Sequence, residues 1–180
     1  KFKTMKKILS ILAAALTVIC AVSCFGDNES YFTPAPFYVS VMVQNPDGAN
    51  LLDTTTVHNW ADSTFSLVYR GKTYTCEDAP EMSVSDMKYG KYDTYSSYDG
   101  KYYRLLALGM FDGVEEIDDD IVFYWPDNST DTMHLRNKGT WASSGKGFTS
   151  LERWIQLNGE DVLTSIVLIT KQPEGEKPAE

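Results

Sequence analysis

The chain has 180 residues, 43% of them hydrophobic and 23% charged, with a formal net charge of −9. That is enough chain for one domain with a real core. The acidic balance repels phosphate backbones and excludes nucleic acid as a partner.

The chain opens on "MKKILSILAAALTVICAVSC", from Met5 to Cys24. Lys6 and Lys7 precede an apolar run, Ile8 to Val22, broken only by Ser10 and Thr17. The run has the length of a signal-peptide core and is short for a bilayer span of about 20 apolar residues. A buried N-terminal helix is the alternative, and the lysines before the run and the polar segment after it fit export better. Met5 followed by two lysines is how such signals begin, so Met5 is the expected initiator. Ala21 and Ser23 place small residues at −3 and −1, with Cys24 at +1. This resembles the lipobox of bacterial lipoproteins, departing from it where Ala21 stands for the usual leucine. Cys20 fits less well, because Val18 and Ile19 precede it. The resemblance implies that residues 1–23 are removed and that Cys24 is acylated and becomes the mature N-terminus. Several acyl chains anchor stably where a single chain is marginal.

Processing removes Lys1, Lys3, Lys6 and Lys7 and no acid, taking the charge from −9 to −13. Of the three cysteines, Cys76 alone then has a thiol, so no intramolecular disulfide is expected. It ends the strand-like run "KTYTC" and is expected to be a buried, inert thiol. Asp27 and Glu29 follow Cys24 and resemble a signal for outer-face display in lipoproteins of the Bacteroidetes; a plain solvated tether accounts for them equally. The expected address is the cell envelope, as an outer-membrane lipoprotein on its surface or periplasmic side. The membrane is then a partner through the lipid anchor.

Residues 24–35 read as a lipidated N-terminus and an extended tether, with two prolines in "FTPAP". The folded domain is expected over 36–171, and 172–180 as a charged, disordered tail. Strand signals dominate between them. "FYVSVMVQ", 37–44, alternates Val39, Val41 and Val43, and "NPDG", 45–48, is a turn. Residues 49–63 have room for one short helical turn. "TFSLVYRGKTYTC", 64–76, reads as a hairpin reversing near Arg70-Gly71. "KYYRLLALGMF", 101–111, is a long strand or two halves of one. "DIVFYW", 120–125, is mostly apolar and so expected to be central, with "PDNS" turning the chain into "TDTMHLR", 130–136. "RWIQLNG" and "DVLTSIVLITK" form a closing hairpin, and "TSIVLIT", 164–170, reads as a buried strand. Short strands between Gly, Pro, Asn and Asp turns predict a mainly β fold, an antiparallel β-sandwich with immunoglobulin-like topology, or alternatively a small β-barrel. "NPDGANLLD", "WPDNSTDT" and "LNGEDV" with "IVLITK" resemble small surface lipoproteins of gut Bacteroidetes. That resemblance implies the same sandwich and address and assigns no activity.

Few residues point to chemistry. "EEIDDD", 115–120, and "DNSTD", 127–131, offer Asp118, Asp119, Asp120, Asp127 and Asp131 as candidate weak Ca²⁺ ligands, because hard cations take several converging oxygens. The second stretch begins like an EF-hand loop and then fails at Thr132 and Lys138, and solvated loops are the simpler reading of both. "GTWASSGKG", 139–147, lacks phosphate-loop spacing and reads as a flexible loop. His58 and His134 are isolated. No catalytic residue and no cofactor is implied, and the expected class is non-enzymatic. A glycan-acting hydrolase and a structural subunit of an outer-membrane or adhesin assembly are the alternatives. The sharpest binding candidate is "KYGKYDTYSSYDGKYYR", where Tyr89, Tyr92, Tyr95 and Tyr98 recur every third residue. Tyrosine combines a large apolar face with a polar tip, which suits a glycan or an envelope protein. Packing of the tyrosines on their own sheet is the competing expectation. Thr54, Ser63 and Thr132, each after an aspartate, resemble the O-glycosylation acceptors of exported Bacteroidetes proteins.

Overall fold

The computed structural model describes residues 30–78, 87, 89–96, 100–164 and 166–172. Cys24, the signal segment and Tyr98 lie outside the described residues. Among those described, the strands are β1 (Phe37–Gln44), β2 (Ser66–Tyr69), β3 (Lys72–Thr75), β4 (Glu77–Asp78), β5 (Gly90–Ser96), β6 (Lys101–Phe111), β7 (Ile117–Tyr124), β8 (Thr130–Trp141), β9 (Phe148–Leu157), β10 (Glu160–Val162) and β11 (Ile166–Thr170). They form one sheet in the order β11-β1-β6-β5-β4 and another in the order β10-β9-β8-β7-β2-β3.

Alternation along the strands builds the core. Val39, Val41 and Val43 of β1, Leu106 and Leu108 of β6 and Val167 and Ile169 of β11 turn inward from the first sheet. Leu67, Ile117, Ile121, Phe123, Met133, Leu135 and Ile155 meet them from the second, and all belong to one buried cluster. The fold is thus a mainly β sandwich. Neither sheet closes on itself among the described residues, so the barrel alternative falls away.

The Arg70-Gly71 reversal holds, with φ of 48° and 74°. Two consecutive left-handed residues suit the right-handed twist of a two-residue hairpin. β7 lies between β8 and β2, as its apolar run predicts. Residues 49–63 form successive turns without a helix. They still plug the sandwich, because Leu51, Leu52, Trp60 and Ala61 are buried and the buried Lys91 donates to the Ala61 carbonyl.

Four expectations are corrected. "EEIDDD" is not a loop throughout, since Ile117 begins β7 and its three aspartates lie on that strand. The glycine-rich stretch begins within β8, which runs on through Gly139 to Trp141 against β9. There Gly139 lies against the Phe148 ring so closely that a Cβ would overlap it. The closing hairpin is only β9–β10. β11 crosses to the other sheet and pairs parallel with β1, so "TSIVLIT" supplies an edge strand with Ile166 and Leu168 half exposed. Finally, the fold begins before residue 36. Phe32 and Phe148 exchange backbone hydrogen bonds at 3.0 and 2.9 Å, and the Ala35 carbonyl accepts from Arg153 at 2.6 Å.

Candidate functional site

A cleft of about 750 Å³ opens at the β2–β3 end of the sandwich, walled by Tyr69, Arg70, Lys72, Tyr74, Tyr89 and Phe111 among others. Its shape follows from local sequence. β6 carries one residue more than β1 between the Tyr38–Met110 and Ser40–Ala107 pairs. Gly109, with φ of 104°, sits in that bulge and lines the cleft. Glycine adopts that conformation without a Cβ penalty, and a bulge bends its strand. Opposite, the turn after β2 points Arg70 at Glu115 and Asp119, at 2.6 and 2.7 Å. Lys72 Nζ lies 4.8 Å over the Tyr74 ring.

Two phenols in this wall have no hydrogen-bond partner among the described residues. The hydroxyls of Tyr69 and Tyr89 are buried without a hydrogen bond. An unsatisfied buried polar group costs roughly 1–3 kcal/mol. Burial pushes the Tyr69 hydroxyl up to about 12, with Arg70 opposing and Asp119 and Glu115 adding to the rise. Burial, helped by Cys76, holds Tyr89 well above the ordinary phenol value. Both are therefore neutral near pH 7, with their hydroxyls buried behind the cleft surface. Cys76 is only half buried at the edge of the core, with its Sγ 3.8 Å from the Glu77 carbonyl, so the fully buried thiol is corrected.

The tyrosine run does not make one surface. Successive strand residues face opposite sides, so a spacing of three alternates faces. Tyr89 lies in the core at 2% exposure, against Phe65 and Phe123. Tyr92 is half buried on the other face, its hydroxyl 2.7 Å from Ser40 Oγ. Tyr95 is exposed and pairs with exposed Tyr102 across the β5–β6 ladder, ring centres 5.1 Å apart.

The candidate Ca²⁺ ligands fall into separate places. Asp118 and Asp120 grip the two ring nitrogens of His134 at 2.9 and 2.7 Å. Asp119 is held by Arg70. Asp127 accepts from the Ser129 amide and hydroxyl within its own turn. Asp131 is buried under Trp125, Asn158 and Lys171. Among the described residues no three of His, Cys, Asp and Glu gather as a metal site. Thr54 is exposed on a turn, Ser63 is half buried, and Thr132 is a half-buried residue of β8. Sequence reasoning saw Arg70 only as a reversal and set His134 aside. The Asp-x-Asp alternation in β7 was the one signal for the second, since it puts two carboxylates on the face of a neighbouring strand's histidine.

Compared with known proteins, the chain matches no family model, no curated protein and no solved structure.

Proposed function

We propose that this chain is a non-enzymatic, lipid-anchored module of the cell envelope that binds a polyhydroxylated ligand, a glycan, in the cleft beside β2 and β3. The observation that carries the reading is an open cleft whose wall combines aromatic side chains with Arg70, Lys72, Thr73 and Thr75. Pockets that orient small ligands combine aromatic and apolar walls with a few placed polar groups. Tyr69, Tyr74 and Phe111 supply ring faces here, and Arg70, Lys72, Thr73 and Thr75 supply polar ones. The lipobox ending at Cys24 supports the address.

A glycan array on the purified protein tests it. Wild type is expected to retain a set of oligosaccharides that a Lys72→Ala/Thr75→Ala variant releases. Both side chains are exposed, so the melting temperature is expected to stay within a few degrees. A wild type that retains nothing overturns the reading. So does binding that survives the cleft variant and is lost with Tyr95→Ala/Tyr102→Ala, which moves recognition to the hairpin tip and favours an envelope-protein partner. Shortened glycans recovered from the array favour the hydrolase alternative instead.

A further inference from the structure

We infer that Lys171, Asn158 and Asp131 form an autocatalytic site that joins the lysine and asparagine side chains through an isopeptide bond, independently of what the cleft binds. The three come from distant parts of the chain. Asp131 lies in β8, Asn158 in the β9–β10 turn, and Lys171 directly after β11. Lys171 Nζ lies 2.7 Å from Asp131 Oδ2, both side chains being only 10% exposed. Asn158 Nδ2 donates to the other oxygen of the same carboxylate, Oδ1, at 2.7 Å. The Thr132 amide donates to Asn158 Oδ1 at 2.9 Å. Trp125 Nε1 completes the carboxylate at 2.6 Å, and its ring lies 5.7 Å from Nζ. Ser129 Oγ accepts from Nζ at 2.8 Å.

An aspartate that only balanced a lysine would not need the asparagine turned this way. Here one carboxylate touches both the nucleophile and the nitrogen that must leave, while the Thr132 N–H polarises the Asn158 amide carbonyl. These are the parts of an acyl transfer: an amine, a shared acid–base, and a donor aimed at the developing oxyanion. Lys171 and Asp131 are mostly buried while Asn158 sits exposed on its turn, and holding the three on one carboxylate removes much of the entropy cost of bringing them together.

The step balances without a co-reactant. Lys171 Nζ gives a proton to Asp131 Oδ2 and attacks Asn158 Cγ. The oxygen charge is met by the Thr132 N–H, and the new C–N bond costs Nζ a second proton. The Cγ–Nδ2 bond breaks as Asp131 passes both protons to the departing nitrogen, which leaves as ammonium. Nothing is oxidised or reduced. The product ties the six-stranded sheet to the end of β11. That strand is an edge strand held by β1 alone, so a link at its end guards an exposed edge of its sheet.

Mass spectrometry on the full-length protein, held at neutral pH until its mass is constant, tests this. The wild type is expected to be lighter than its unlinked form by one ammonia and to resist trypsin after Lys171, because an acylated lysine is not cleaved. Lys171→Arg and Asp131→Asn are each expected to restore the full mass, and Asp131→Asn to restore cleavage after Lys171. A wild type of full mass, cut normally at Lys171, overturns the proposal. So does ammonia loss that leaves Lys171 cleavable or persists in Lys171→Arg, since a succinimide at Asn158-Gly159 sheds the same mass without touching the lysine.

Discussion

Tyr89 and Tyr95 are six residues apart in one repetitive stretch, yet the two ends of their hairpin have opposite fates. At the base, Tyr89 is packed edge-on to Phe65 and Phe123 with its hydroxyl unpartnered. At the tip, Tyr95 and Tyr102 touch each other and solvent. The same side chain is core at one end and surface at the other. The decisive variable is which sheet lies opposite, and residue type says nothing about that.

The comparison breaks most visibly if the base is truncated. Tyr89→Ala should cost about 3–5 kcal/mol, as large aromatic deletions in cores do, and denaturant melts would read it directly. Tyr89→Phe should be neutral or slightly stabilising, because it removes an unsatisfied hydroxyl and keeps the shape. A loss above about 1 kcal/mol would show that the hydroxyl has a partner. Midway along the hairpin, Tyr92→Phe removes the hydrogen bond to Ser40 and should cost about 0.5–1.5 kcal/mol.

A pH series sharpens the contrast further, since both buried phenols stay neutral at every pH below about 9. The clasp on the six-stranded sheet titrates instead. The Asp120 hydrogen bond, followed by that of Asp118, outweighs partial burial and raises His134 above its ordinary 6.5. A raised folded-state value means that the contribution is full below about 6.5 and is lost as pH climbs past the folded value. The melting temperature should therefore fall as pH rises above about 6.5, and His134→Gln should flatten that slope. An unchanged slope in the variant would remove the clasp from the account. The smallest effect belongs to the tip. Tyr95→Ser or Tyr102→Ser should move stability by no more than about 0.5 kcal/mol, and a larger loss would mean that something packs on them.

Much of the fold was legible because strand periodicity is local. Val39, Val41 and Val43, the Arg70-Gly71 reversal and the apolar run of β7 each sit within a few residues and carry their own signal. The errors arose where pairing partners lie far apart. β11 reads naturally as the second arm of a hairpin with β9, but its inward pair Val167 and Ile169 completes the other sheet beside β1. The stretch from Gly139 reads as a loop because glycine and serine dominate it. Its first three residues extend β8 because β9 offers a partner, and glycine at 139 leaves room for the Phe148 ring.

By itself, then, the sequence determined the strand pattern, the turns, the acidic charge and the residue types available for chemistry, since these depend on neighbours in the chain. The tertiary structure alone decided which of them meet. It put Tyr69 and Tyr89 in one cleft wall, set Asp118 and Asp120 on His134, and brought Lys171 and Asn158 to the two oxygens of Asp131. Such contacts join residues as many as 40 positions apart, and no local preference encodes them. They exist because burying two apolar sheet faces against each other leaves each polar group only the partners that the packing brings to it.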